Sequence, residues 1–113
     1  MPKAYESEVD IDDIRSLISV GQIVWTEHLA LRLRERNIKR IDVITCIQNG
    51  EIIEQYPDDM PFPSCLILGL SSDEKPLHIV CGLNPGVNCC IITAYYPIPD
   101  KWEADYKKRK AGE

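Results

Sequence analysis

Apolar residues at Ile11, Ile14, Leu17 and Ile18 recur at helical steps, and Asp10 stands where a side-chain oxygen caps the first free N–H groups. Asp12 and Asp13 suit the positive end of such a helix, Val9 is placed to staple onto Ile14, and Gly21 marks the stop. A second helix is predicted from a Thr26 cap to about Asn37, a residue that tolerates the left-handed backbone of a helix terminus. Its apolar sector is Leu29, Ala30 and Leu33. On its shoulder His28, Arg32 and Arg36 follow at steps of four, each turned about 40° from the last. A third helix fits from about Ile41 to Gln48, with Ile41, Val43, Ile44 and Ile47 inward and Asn49-Gly50 as its end.

After Gly50 the period changes. EIIEQY (51–56), SCLILGL (64–70), LHIVCGL (77–83) and CCIITAYY (89–96) read as four strands, and PDDMPFP, SSDEKP and NPG as the turns between them. Short connections favour an antiparallel meander. Helices followed by strands make an α+β domain, with two to three N-terminal helices packed on one face of a four-stranded antiparallel sheet. The third and fourth strands are apolar on both faces, so the second face needs a cover. A homodimer or a dedicated partner protein would supply one. The C-terminal segment with Trp102 and Tyr106, folded back, would supply another. The plain reading of residues 103–113 is a basic, partly disordered tail beyond a core of about 9–102.

A length of 113 residues suits a single domain, 1–113. No signal-like apolar stretch opens the chain and no run approaches the ~18 apolar residues of a membrane span, so a cytoplasmic protein with no membrane partner is expected. Five cysteines, an odd number, are expected as reduced and mostly buried thiols. A zinc site would have to use His78, Cys81, Cys89 and Cys90 without a Cys-x-x-Cys knuckle; neither metal nor cofactor is expected.

The formal net charge of −5 argues against broad affinity for polyanions, yet residues 28–40 hold five bases and one acid, and 101–110 hold five bases and two acids. Strand periodicity sets His78 on one face of the third strand, and Thr93 and Tyr95 together on the fourth. If the second helix packs beside them, His28, Arg32, Arg36, His78, Thr93 and Tyr95 converge, and that set suits an anion. Guanidinium groups bind phosphate in a fork, histidine moves a proton near neutral pH, and hydroxyls donate. The matching reaction is metal-independent cleavage of RNA, with His28 or His78 as acid or base, Arg32 and Arg36 as clamp and Tyr95 orienting the scissile group. Thr93, Lys39 and Arg40 would hold substrate. No HExxH, GxSxG or phosphate-cradling glycine loop points elsewhere. The plain alternative is a solvated basic helix face and a hydrogen-bonded structural His78.

The string His28-xxx-Arg32-xxx-Arg36-Asn37-Ile38, then NGEIIEQYP, PLHIV, IITAYYP and DKW, resembles the domain-of-unknown-function family 4258 over about residues 25–102. Asn37 stands where that family commonly has glycine. The family is similar in fold to the RelE-like toxins of bacterial toxin-antitoxin systems, whose members often cleave messenger RNA. The resemblance implies a site at His28, Arg32, Arg36, His78, Thr93 and Tyr95, RNA as a partner, and an antitoxin over the open sheet face or cleft. The rival expectation is a catalytically silent domain of the same fold that dimerises or receives a peptide through its sheet.

Overall fold

A computed structural model describes residues 8–110. Its helices are α1 (Ile11–Ser19), α2 (Glu27–Glu35) and α3 (Arg40–Asn49); its strands are β1 (Ile23–Val24), β2 (Glu51–Tyr56), β3 (Ser64–Leu70), β4 (Pro76–Asn84) and β5 (Asn88–Tyr95). The caps fall where the sequence puts them. The Asp10 carboxylate accepts from the Asp12 N–H at 2.9 Å, and the Thr26 hydroxyl accepts from the Leu29 N–H at 3.1 Å. Asn37 does take the left-handed backbone, φ 58°, as α2 ends. At the start of α3 the Asp42 carboxylate accepts from the Lys39 N–H at 2.8 Å, and its other oxygen accepts from the Ser72 N–H and hydroxyl. Burial pushes this carboxyl up, but those hydrogen bonds outweigh it and leave the pKa below the ordinary value.

Five strands make one mixed sheet in the order β1-β5-β4-β3-β2, where four antiparallel strands were expected. β1 lies parallel to β5, pairing Ile23 with Cys89 and Val24 with Cys90; the other neighbours are antiparallel. A two-residue strand carries no alternation, and only its pairing across the chain reveals it. All three helices pack on one face. Ile14, Ile18, Leu29, Leu33, Val43, Cys46 and Ile47 close against Cys65, Ile67, Leu77, Ile79, Cys81, Cys89 and Ile91 in a single core. Ile41, expected inward, is 55% exposed, and Cys46 takes the inward place one turn on from Asp42 and Val43.

Two contacts fix α3 against its neighbours, one to α1 and one to the sheet. Arg15 of α1 donates to the Ile47 and Gly50 carbonyls at 3.1 and 2.7 Å, putting a cation on carbonyls that the end of α3 leaves free. Gly69 lies so close to α3 that a β-carbon there would stand 2.3 Å from the Cys46 carbonyl oxygen. Glycine alone permits that approach.

The opposite face carries Leu66, His78, Val80, Thr93 and Tyr95 from β3 to β5, with Glu54 and Tyr56 from β2 set across from Leu66 and Ser64. Residues 103–110 of the segment read from sequence as a basic tail, 103–113, fold back over this face with Lys101 and Trp102 as a hairpin, and residues 111–113 lie outside the described residues. Trp102 bridges Arg109, Glu103 N–H reaches the Lys108 carbonyl at 2.8 Å, and Lys110 N–H reaches the Lys101 carbonyl at 3.0 Å. Trp102 is 4% exposed. The hairpin thus takes the place on the sheet expected for a partner, for the same reason: buried apolar residues on both sides of β4 need two covers.

All five cysteines are free; Cys46, Cys65, Cys81 and Cys89 are buried and Cys90 is half-buried. Burial pushes the Cys46 thiol up to about 12 and Cys89 up to about 11, so both stay protonated and act as small apolar groups. Among the described residues no group of three His, Cys, Asp or Glu is placed to hold a metal ion, and no helix is long and apolar enough to cross a membrane.

Candidate functional site

His78 lies at the centre of the face beneath the hairpin and is fully buried. Its Nε2 meets the Tyr106 carbonyl oxygen at 2.8 Å, and a carbonyl only accepts, so Nε2 carries the proton. Nδ1 is then the acceptor for the Tyr95 hydroxyl at 3.3 Å. The Tyr95 and Trp102 rings stand edge-on to the imidazole, with centroids 5.3 and 4.5 Å away. Burial depresses the His78 pKa, while the Tyr106 carbonyl and the Glu54 charge pull the other way without overcoming it.

That depression sets a pH dependence. The unfolded chain takes up this proton more readily than the folded one, so the contribution of His78 to stability is complete above the ordinary value of 6.5 and is lost as pH falls through the lower folded value. Urea unfolding midpoints measured from about pH 7 down to pH 5 are expected to fall more steeply for the wild type than for His78→Gln. Parallel slopes would show that this imidazole is not the titrating group.

Beside His78 is a set that the sequence reading passed over. Arg109 donates through Nε and Nη2 to the two oxygens of Glu54, each at 3.0 Å, and the Tyr56 hydroxyl donates to Glu54 Oε1. The guanidinium also lies 4.7 Å over the Trp102 ring. Burial raises the Glu54 carboxyl, but the bonds from Arg109 and Tyr56 more than offset it and keep the carboxylate below its ordinary range. Burial and the neighbouring Glu54 push Tyr56 up to about 12, so it remains a donor. The bonds to Glu54 raise Arg109 in turn, so the guanidinium stays charged. The Arg109 side chain is 61% exposed and that of Glu54 23%, so solvent and solutes reach the pair.

Arg36, at the end of α2, reaches the same face around the β5 edge and donates to the Thr93 hydroxyl at 3.2 Å and the Ala94 carbonyl at 2.9 Å. Burial raises the Tyr95 phenol, and the charges of Arg109 and Arg36 draw it back. A cleft of about 560 Å³ adjoins this area, lined by Glu51, Leu68, Leu70, Pro76, Asp105 and Tyr106 among others. That volume falls within the range of small-ligand clefts.

Of the residues expected from sequence, the structure brings together Arg36, Thr93, His78 and Tyr95. His28 and Arg32 stay apart. His28 is exposed two turns before Arg36, about 12 Å along the helix axis, and Arg32 pairs with Glu35 at 3.1 Å on the solvent side. Lys39 and Arg40 lie at the elbow between α2 and α3, on a separate cleft. Glu54, Tyr56, Trp102 and Arg109 join the site instead. Their sequence signals were the two-residue spacing of Glu54 and Tyr56, Trp102 in a segment able to fold back over the sheet, and the basic run around Arg109.

A protein-family model described as "Domain of unknown function (DUF4258)" matches residues 25–96. The match takes in Arg36, Glu54, Tyr56, His78, Thr93 and Tyr95 and stops short of Trp102 and Arg109. No curated protein and no solved structure matches the chain.

Proposed function

The chain belongs to the DUF4258 family, and for it we propose metal-independent cleavage of single-stranded RNA on the sheet face beneath the C-terminal hairpin. One observation carries the reading: a guanidinium fork that fits phosphate is held, exposed, on a carboxylate with two tyrosines and a histidine beside it. A phosphodiester that takes Arg109 from Glu54 keeps the same forked bonds and frees the carboxylate. Glu54 then accepts the proton of the ribose 2′-hydroxyl as its oxygen attacks phosphorus. Arg109 and Arg36 stabilise the charge gathered on the phosphorane. The bond to the 5′-oxygen breaks and Tyr95 gives that oxygen a proton, leaving a 2′,3′-cyclic phosphate and a 5′-hydroxyl. His78 holds Tyr95 in place and is a positioning residue. In biological terms this is a RelE-like toxin whose partner is an antitoxin that blocks access to Arg109.

A specific observation favours the rival, a catalytically silent binding domain: His78 is fully buried with both ring nitrogens engaged. Purified protein incubated with single-stranded RNA in excess EDTA separates the two. The nuclease reading expects fragments with cyclic phosphate and 5′-hydroxyl ends. Intact RNA, or fragments formed only when Mg²⁺ is added, would favour the rival.

A further inference from the structure

The left-handed Asn37 ends α2 and turns the chain through Ile38 and Lys39 into α3, gathering Arg34, Asn37, Lys39 and Arg40 around a cleft of about 360 Å³. Arg34, Lys39 and Arg40 are exposed, and among the described residues none of them forms an ion pair; the pairs found there use Arg15, Arg32, Lys107 and Arg109. Three exposed cations around one concavity are unusual in a chain of net charge −5, and only Lys39 has a carboxylate, that of Asp42, acting on it among the described residues. Arg40 is also oriented: its guanidinium lies 5.0 Å over the Trp25 ring, and the residue stays exposed.

We infer that this elbow binds single-stranded RNA and feeds it past Arg36 onto the reacting face. Arg34 and Lys39 meet backbone phosphates, the exposed Arg40 stacks on a base, and the Asn37 amide meets a base edge. Arg36 joins the two areas. It lies in sequence between Arg34 and Asn37, which line the cleft, while its own guanidinium turns to the sheet and bonds Thr93, on the face that carries Tyr95. An acidic peptide would engage the charges alone and leave the stacking plane and the amide unused. The inference rests on the nuclease reading for the identity of the polymer, and on the elbow's own geometry for its place.

The test uses the full chain and the variant Arg34→Ala/Lys39→Ala/Arg40→Ala, whose exposed positions tolerate alanine; circular dichroism confirms the fold. Binding is read by fluorescence anisotropy on a labelled 2′-O-methyl oligouridylate of about twelve nucleotides, which fits a single-strand site and lacks the nucleophile. The variant is expected to bind at least about ten-fold more weakly, with a logarithmic salt slope shallower by about 1.4, or about 0.7 for each of the two lost phosphate contacts. Equal affinity and slope in the two proteins would overturn the inference. So would a poly-glutamate peptide that displaces the oligonucleotide as well as unlabelled RNA does, since that would assign the elbow to an acidic partner. Cleavage separates this claim from the one it rests on. A dinucleotide spans the reacting face only, so its kcat/KM should be the same in both proteins, while that of a longer RNA falls in the variant. If the wild type cleaves neither, the nuclease reading fails and the binding data alone decide the elbow.

Discussion

Glu54→Gln is expected to slow RNA cleavage by about 10²- to 10⁴-fold while the protein stays folded. Glutamine keeps the shape of glutamate and an oxygen that can accept from Tyr56 and Arg109, but it cannot take the 2′-hydroxyl proton. The Arg109–Glu54 pair is largely exposed on the arginine side, so losing the charge should cost only about 1 kcal/mol of stability. Initial rates on one RNA, with urea unfolding as the companion measurement, check both halves. A variant as fast as the wild type would remove Glu54 from the chemistry, and one that is slow because it is unfolded would show in the unfolding curve.

Trp102→Ala is expected to have the largest effect on stability, about 3 to 5 kcal/mol. The indole is 4% exposed and lies between the His78 imidazole at 4.5 Å and the Arg109 guanidinium at 4.7 Å, so its removal opens the central histidine and unseats the Glu54 clamp together. The remaining anchors of the hairpin are the single bond of the Tyr106 carbonyl to His78 and two ion pairs, Arg109 with Glu54 and Lys107 with Glu51 at 3.1 Å, and partly exposed pairs of that kind hold little on their own. Limited proteolysis should therefore cut the variant after Lys101 or Lys107 well before the sheet is attacked. A loss of stability under about 1 kcal/mol would mean that the hairpin is a passenger on the sheet.

The helices and long strands were legible because local chemistry specifies them. Asp10 and Thr26 cap where they stand, Asn37 turns where α2 must stop, and the extended runs after Gly50 pair over almost the lengths read from sequence. Long-range pairing was less visible. β1 exists only through its contact with Cys89 and Cys90, and Ile41 faces outward because Val43, Cys46 and Ile47 fill the inner side of α3.

The site divides along the same line. Period two placed His78, Thr93 and Tyr95, and helical period placed Arg36 within reach of β5. It also proposed His28 and Arg32, which stand two turns and one turn back from Arg36 on the same stripe, His28 exposed and Arg32 paired with Glu35. Arg109 meets Glu54 across 55 positions of sequence, and nothing in either local stretch announces that meeting. The apolar character of both faces of β4 was the one hint that the chain's end would be needed as a cover.

Titration of the ¹⁵N-labelled protein with a 2′-O-methyl dinucleotide, followed by backbone amide spectra, tests the placement of the site most directly. Shifts are expected at Glu54, Tyr56, Thr93, Tyr95 and Arg109, with His28 and Arg32 unmoved. Shifts confined to the first turns of α2, or spread over the helical face with the strands silent, would contradict it.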